Sequence, residues 1–280
     1  MKRATWQLLP GGNGVPRDDA PLLDPAASAR VAGASAPSRP WWWARVRLSP
    51  SSKAYLGLMA YLVAVRLTLS LFPAIFRSPA QAAVFSWPLL PLWAATGLLG
   101  VELARRTGFP EAWGGRGSNG RRLLVPALLG LALGLLAVAT DLRTHWAGRA
   151  AAEHGQPSIH IDFPASALVY PGGAVIVEVL YRLLPLPLLL WLISSLALRG
   201  RGREQTFWAL ALLLSLVEPL SQDLSLGQFG TGVMAAVFVQ DYALNLSQAA
   251  LFRRSGFLAA IALRVVFYLV WHVAYGNFLS

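Results

Sequence analysis

Seven apolar stretches near 20 residues long, separated by short polar segments, constrain this chain more than any other feature: they lie near 55–75, 82–103, 123–140, 173–198, 206–220, 230–252 and 257–277. A helix rises about 1.5 Å per residue, so about 20 apolar residues cross the roughly 30 Å hydrocarbon core of a bilayer. Lipid offers no hydrogen bonds to the backbone, and stretches of this length satisfy it internally as helices. The sequence therefore predicts an all-α fold, a polytopic membrane helical bundle with about seven transmembrane helices. Composition agrees, with 55% apolar residues against 13% charged, about half the charge of a soluble domain.

The +11 net charge reads as topology. With connecting segments assigned to alternate sides, 18 of the 24 Lys and Arg fall on one face and three (Arg77, Arg143 and Arg149) on the other. The positive-inside rule then predicts a cytoplasmic N-terminus and an outward C-terminus. A basic surface for nucleic acid is not expected, because the cations sit in short connections between apolar runs. The bilayer is the expected partner. The absence of cysteine excludes disulfides, thiolate metal sites and cysteine nucleophiles.

Residues 1–54, rich in Pro, Gly, Ala and Ser, are expected to form a disordered cytoplasmic tail. Trp41, Trp42, Trp43, Arg45 and Arg47 supply an interfacial anchor just before the membrane domain, 55–280. Two spans are irregular. Pro185 and Pro187 are expected to kink or break the fourth, and the fifth, Thr206 to Ser221, is short enough to end within the membrane ahead of the segment GQFGTG. Broken helices at that depth need protein or water to satisfy the freed backbone, so a cavity is expected nearby.

Ionisable groups at bilayer depth are costly and functional by default. Six are expected there: Arg66, Glu178, Arg182, Glu218, Asp241 and Arg264. Three acids and three bases point to pairing inside the bundle. Glu178 and Arg182, four apart, share a helix face. They read either as an internal salt bridge or as a general base with the guanidinium that orients it. Arg264, Tyr268 and His272 recur every four residues and give the last span a polar face. Glu178, Glu218 and His272 have the ligand types of a catalytic zinc site, although His272 also suits a hydrogen-bonding role near the interface. Glu153, His154, His160 and Asp162 read as a solvated loop. The chain has no HExxH zinc helix, no Gly-x-Ser-Gly nucleophile segment and no second intramembrane aspartate beside Asp241.

The segment VIVEVLYRLLP, with Glu178 and Arg182, resembles the first motif, EExxxR, of the CPBP intramembrane proteases, the CAAX-processing and bacterial-immunity group. That family continues with FxxxH and a final helix carrying His and Asn four apart. Phe252 to Tyr268, FRRSGFLAAIALRVVFY, is similar to its closing segment. The resemblance covers about residues 123–277. Glu178 and Arg182 match the second glutamate and the arginine, with Val177 at the first glutamate. Glu218 stands at the middle histidine, Leu214 at the phenylalanine, Arg264 at the final histidine and Tyr268 at the asparagine.

The resemblance implies an intramembrane endopeptidase of membrane-associated protein substrates in a bacterial plasma membrane. It would use Glu178 as general base, Arg182 as orienter, Glu218 as second acid and Arg264 as oxyanion donor, with Tyr268, His272 and Asp241 in support. Because both motif histidines are replaced, the family's metal is not expected, and the cofactor stays unknown. The alternative is a catalytically silent member that works as a membrane scaffold or partner-binding protein, with its two Glu and two Arg closed into a salt-bridge quartet.

Overall fold

The computed structural model describes residues 48–73, 82–113, 119–153, 155–156 and 158–279. The tail anchor Trp41, Trp42, Trp43, Arg45 and Arg47, together with Arg77 and His154, lies outside the described residues. Every regular element among the described residues is helical.

Helix α1 (Pro50–Leu71) starts where Ser49 accepts a hydrogen bond from the Ser52 amide at 3.0 Å and Pro50 occupies the first turn. It is followed by α2 (Leu89–Arg106), α3 (Asn119–Thr144) and the short α4 (Trp146–Glu153). Next comes α5 (Ala165–Glu178), which continues through a π segment (Val179–Leu183), α6 (Pro185–Leu190) and a second π segment (Trp191–Ala197). The chain then forms α7 (Arg203–Leu214), α8 (Val217–Gln222), a 3₁₀ segment (Leu224–Phe229) and α9 (Thr231–Ser255). It ends with α10 (Phe257–Tyr268), a third π segment (Leu269–Tyr275) and a final turn, α11 (Gly276–Phe278).

Four of these helical runs are long and apolar enough to cross a membrane: Pro50–Leu71, Gly120–Thr144, Ala165–Ala197 and Phe257–Phe278. The described residues thus form an all-helical protein of membrane character. The other three stretches counted in the sequence differ for visible reasons. Helix α2 ends in Glu102, Arg105 and Arg106, α7 and α8 divide the fifth stretch, and α9 carries Gln240, Asp241, Asn245 and Gln248.

The prolines of the fourth span do not break it. A π turn absorbs them, with the Leu184 amide donating to the Val179 carbonyl five residues back at 3.2 Å, so that Pro185 and Pro187 start a new turn instead of interrupting one. In the fifth stretch the break is real. Pro219 brings no N–H, and its ring conflicts with the carbonyl four residues earlier, that of Ser215; α7 stops at Leu214 and the chain resumes as α8.

Helix α10 is central, packed against α3, α9 and α5. Its closest neighbour is α3, where Gly130 and Gly134 form a Gly-x-x-x-Gly face. A Cβ on Gly130 would overlap the Leu263 carbonyl, and one on Gly134 would press the Val270 side chain at 2.8 Å. Small residues of this kind let helix backbones approach where lipid supplies no hydrophobic drive. One apolar cluster fills the space among α1, α2, α5 to α7 and the α9–α10 junction, including Tyr55, Leu62, Leu183, Phe207 and Phe252. A second, with Leu244, Leu263, Phe267 and Trp271, joins α9 to α10 and its π extension. The polar groups converge where α5, α8, α9 and α10 meet.

Candidate functional site

Glu178, Arg182, Glu218 and Arg264 come together from four elements, each no more than 5% exposed. Arg182 Nε donates to Glu178 Oε2 at 2.7 Å. Its π segment carries the arginine on the same face as the glutamate one turn earlier. On the other side, both outer nitrogens of Arg264 reach Glu218, Nη1 to Oε1 at 2.6 Å and Nη2 to Oε2 at 2.7 Å. This planar, two-point pairing is the geometry in which a guanidinium and a carboxylate interact most strongly.

Two amides of α9 join the pairs. Asn245 Oδ1 accepts from Arg182 Nη1 and, at 3.1 Å, from Arg264 Nη2, so one neutral oxygen bridges two cations. Gln248 Oε1 accepts from Arg264 Nε at 3.0 Å, while its Nε2 donates to the Ala260 carbonyl at 3.1 Å and reaches Glu178 Oε2 at 3.5 Å. A ring therefore runs from Glu178 through Arg182, Asn245, Arg264 and Gln248 back to Glu178, with Glu218 attached at Arg264. Tyr268 adds its hydroxyl oxygen as an acceptor for Arg264 Nη1 at 3.1 Å. Two atoms of the ring residues, Glu178 Oε1 and Arg182 Nη2, are buried without a hydrogen-bond partner.

The remaining expected residues fall around this ring. Arg66 stands apart, with its guanidinium 5.8 Å from the Trp87 ring. Asp241 contributes its backbone carbonyl, which accepts from Asn245 Nδ2 at 2.8 Å, and its side chain lines a cavity of about 270 Å³ beside the ring. Glu218, Asp223, Arg264, Tyr268 and His272 line the same cavity; Glu178 and Arg182 do not. The cavity expected near the broken fifth span is present there.

His272 does not join Glu178 and Glu218, and among the described residues no three His, Asp or Glu come together in a way that could hold a metal ion. The residues at the motif positions do not fit a metal either, since the carboxylates of Glu178 and Glu218 are each taken up by a guanidinium. His272 instead faces His160, Nδ1 to Nδ1 at 3.0 Å, and stacks on Tyr170 with ring centroids 4.2 Å apart. His160 is thereby removed from the solvated loop expected for it. It is buried, and desolvation pushes its pKa down to about 4. Asn277 secures the segment that follows His160, accepting from the Phe163 amide at 2.7 Å and donating to the Ile161 carbonyl at 3.2 Å.

Sequence reasoning missed Asn245, Gln248 and Asp223, and it placed His160 in a solvated loop. A signal existed for the amides: Asp241, Asn245 and Gln248 are spaced four and three apart on one face of α9. Asp223 lies outside every apolar run and so escaped a search for charges at membrane depth. No family model, curated protein or solved structure matches the chain.

Proposed function

We propose that this chain is a divergent, catalytically silent CPBP-like membrane protein that binds a membrane-associated protein partner, with its four core charges as the keystone of the bundle. One observation carries the reading: Glu178, the residue that would have to activate water, is fully buried, paired with Arg182 and no part of the cavity wall. A general base needs a water and a substrate carbonyl within hydrogen-bond reach. The arrangement suits charge neutralisation and helix registry, a role attested for buried polar groups.

The endopeptidase reading keeps one specific support, the unpartnered Glu178 Oε1 and Arg182 Nη2. Those two atoms leave an acceptor and a donor free for a water, and Arg264, which belongs to the ring and also lines the cavity, would be the oxyanion donor. The decisive comparison is terminal-peptide mass spectrometry of membranes from cells with the wild type, with Glu178→Gln, and without the protein. Silence predicts identical termini in all three. A cleavage product present only with the wild type, while Glu178→Gln still folds, establishes the protease.

The proposal includes seven transmembrane segments with a cytoplasmic N-terminus in a bacterial plasma membrane, supported by the four apolar helices and the one-sided distribution of basic residues. Because the chain has no cysteine, single cysteines placed at Arg116, Arg201 and Arg254 should be shielded from an impermeant thiol reagent added outside, whereas one at Gln156 should react.

A further inference from the structure

The cavity beside the charge ring has a chemistry of its own. Three carboxylates face it, Glu218 from α8, Asp223 from the turn after α8 and Asp241 from α9, against one cation, Arg264. Arg264 is already committed to Glu218 at both oxygens. Neither Asp223 nor Asp241 enters a salt bridge among the described residues. Asp223 is only 4% exposed, and its Oδ2 has no hydrogen-bond partner. A buried carboxylate oxygen left without a donor is costly. The acid is also raised to about 7, by burial first and then by Asp241 and Glu218, a shift that a cation bound beside it would oppose.

Part of the remaining wall is aromatic: Trp146, Phe267, Tyr268 and Trp271 line the same space, among aliphatic and neutral polar residues. Aromatic faces combined with carboxylates attract organic cations, through the ring quadrupoles and by direct charge attraction. A bare metal ion fits less well, because no three ligating groups converge. A volume of about 270 Å³ equals about nine waters at ~30 Å³ each, room for a substituted ammonium group.

We propose that this cavity binds an organic ammonium group of lipid-headgroup size, held by Asp223 and Asp241 beside Trp146 and Phe267. The inference does not depend on whether Glu178 is catalytic. The ammonium could arrive as a free amine or as the headgroup of a lipid, and the experiment separates these sources.

Purified full-length protein in detergent is titrated with choline and with its neutral carbon isostere, 3,3-dimethylbutanol, with tryptophan fluorescence and melting temperature as readouts. In parallel, the protein is placed in nanodiscs of phosphatidylglycerol with and without phosphatidylethanolamine. Saturable quenching and a raised melting temperature with choline but not with the isostere are expected, weakened about tenfold or more by Asp241→Asn and by Asp223→Asn. Should Asp223→Asn fail to fold, the half-buried Asp241→Asn and the wild-type melting shift still decide. A response only to phosphatidylethanolamine discs, abolished by Asp241→Asn, assigns the site to the lipid headgroup. Equal responses to choline and the isostere, or no response to choline and to phosphatidylethanolamine alike, overturn the proposal.

Discussion

Arg264 grips both carboxylate oxygens of Glu218, at 2.6 and 2.7 Å, and so ties the last long helix to the broken fifth span across 46 residues of sequence. Both partners are almost wholly buried. In this setting the interaction matters less for the energy it adds than for the cost of leaving one half behind. Glu218→Gln or Arg264→Met alone strands the other charge, which costs about 3–5 kcal/mol. The double variant Glu218→Gln/Arg264→Met removes both charges and should be less destabilised than the sum of the two singles. Unfolding by denaturant in detergent, run as a double-mutant cycle, measures that coupling.

Asn245 is the hinge of the ring, because its single Oδ1 receives a donor from Arg182 and another from Arg264. Asn245→Leu keeps similar bulk but leaves Arg182 Nη1 without an acceptor and takes from Arg264 Nη2 one of its two, Glu218 remaining; an unmet buried donor costs about 1–3 kcal/mol. Asn245→Asp keeps the acceptor and adds a negative charge between two positive ones, so it should be milder than Asn245→Leu. The order of the two melting temperatures in detergent tests this, and a milder Asn245→Leu would show that the bridge is dispensable.

What the sequence made legible followed from the cost of burying things. Apolar length announced the helices, and the expense of a charge in lipid pointed to Glu178, Arg182, Glu218 and Arg264, which do meet. Asn245 and Gln248 were overlooked because a neutral amide carries no such alarm, although they close the ring. Pro185 and Pro187 suggested a broken helix because proline removes a hydrogen bond; a π turn supplied a third outcome that counting hydrogen bonds at helical spacing does not foresee. His160 lies in a polar segment, and its burial depends on the contact with His272, 112 residues away. Local composition cannot report a contact of that range.

Gly130 sets the distance between α3 and α10, since any Cβ there would collide with the Leu263 backbone. Gly130→Val should therefore push the helices apart and destabilise by about 1–3 kcal/mol or more, the range for overpacking a close contact. Gly57 and Gly120 have nothing within 4 Å of a built Cβ. Gly57→Ala lies within α1 and should be neutral or slightly stabilising, by up to about 1 kcal/mol. Parallel thermal denaturation of the variants in one detergent checks both signs.

His160 and Asp223 predict opposite pH responses. Burial lowers His160 from 6.5 to about 4, so the folded state keeps it neutral while the unfolded chain takes up a proton. Its contribution is complete above about pH 6.5 and is lost as pH falls toward 4. Burial raises Asp223 from 3.8 to about 7, so the folded state holds the proton that the unfolded chain has released. Stability from this group is complete below about pH 4 and is lost as pH rises to 7. Replacing Asp223 with Asn deletes only the second effect. Its melting temperature relative to wild type should therefore climb between pH 4 and 7 and level off above. His160→Gln deletes the first effect, so its disadvantage should be greatest near neutrality and shrink as pH falls below 6.5. Melting curves of the three proteins across that interval decide the matter, and parallel, pH-independent offsets would mean that neither side chain titrates as its surroundings require.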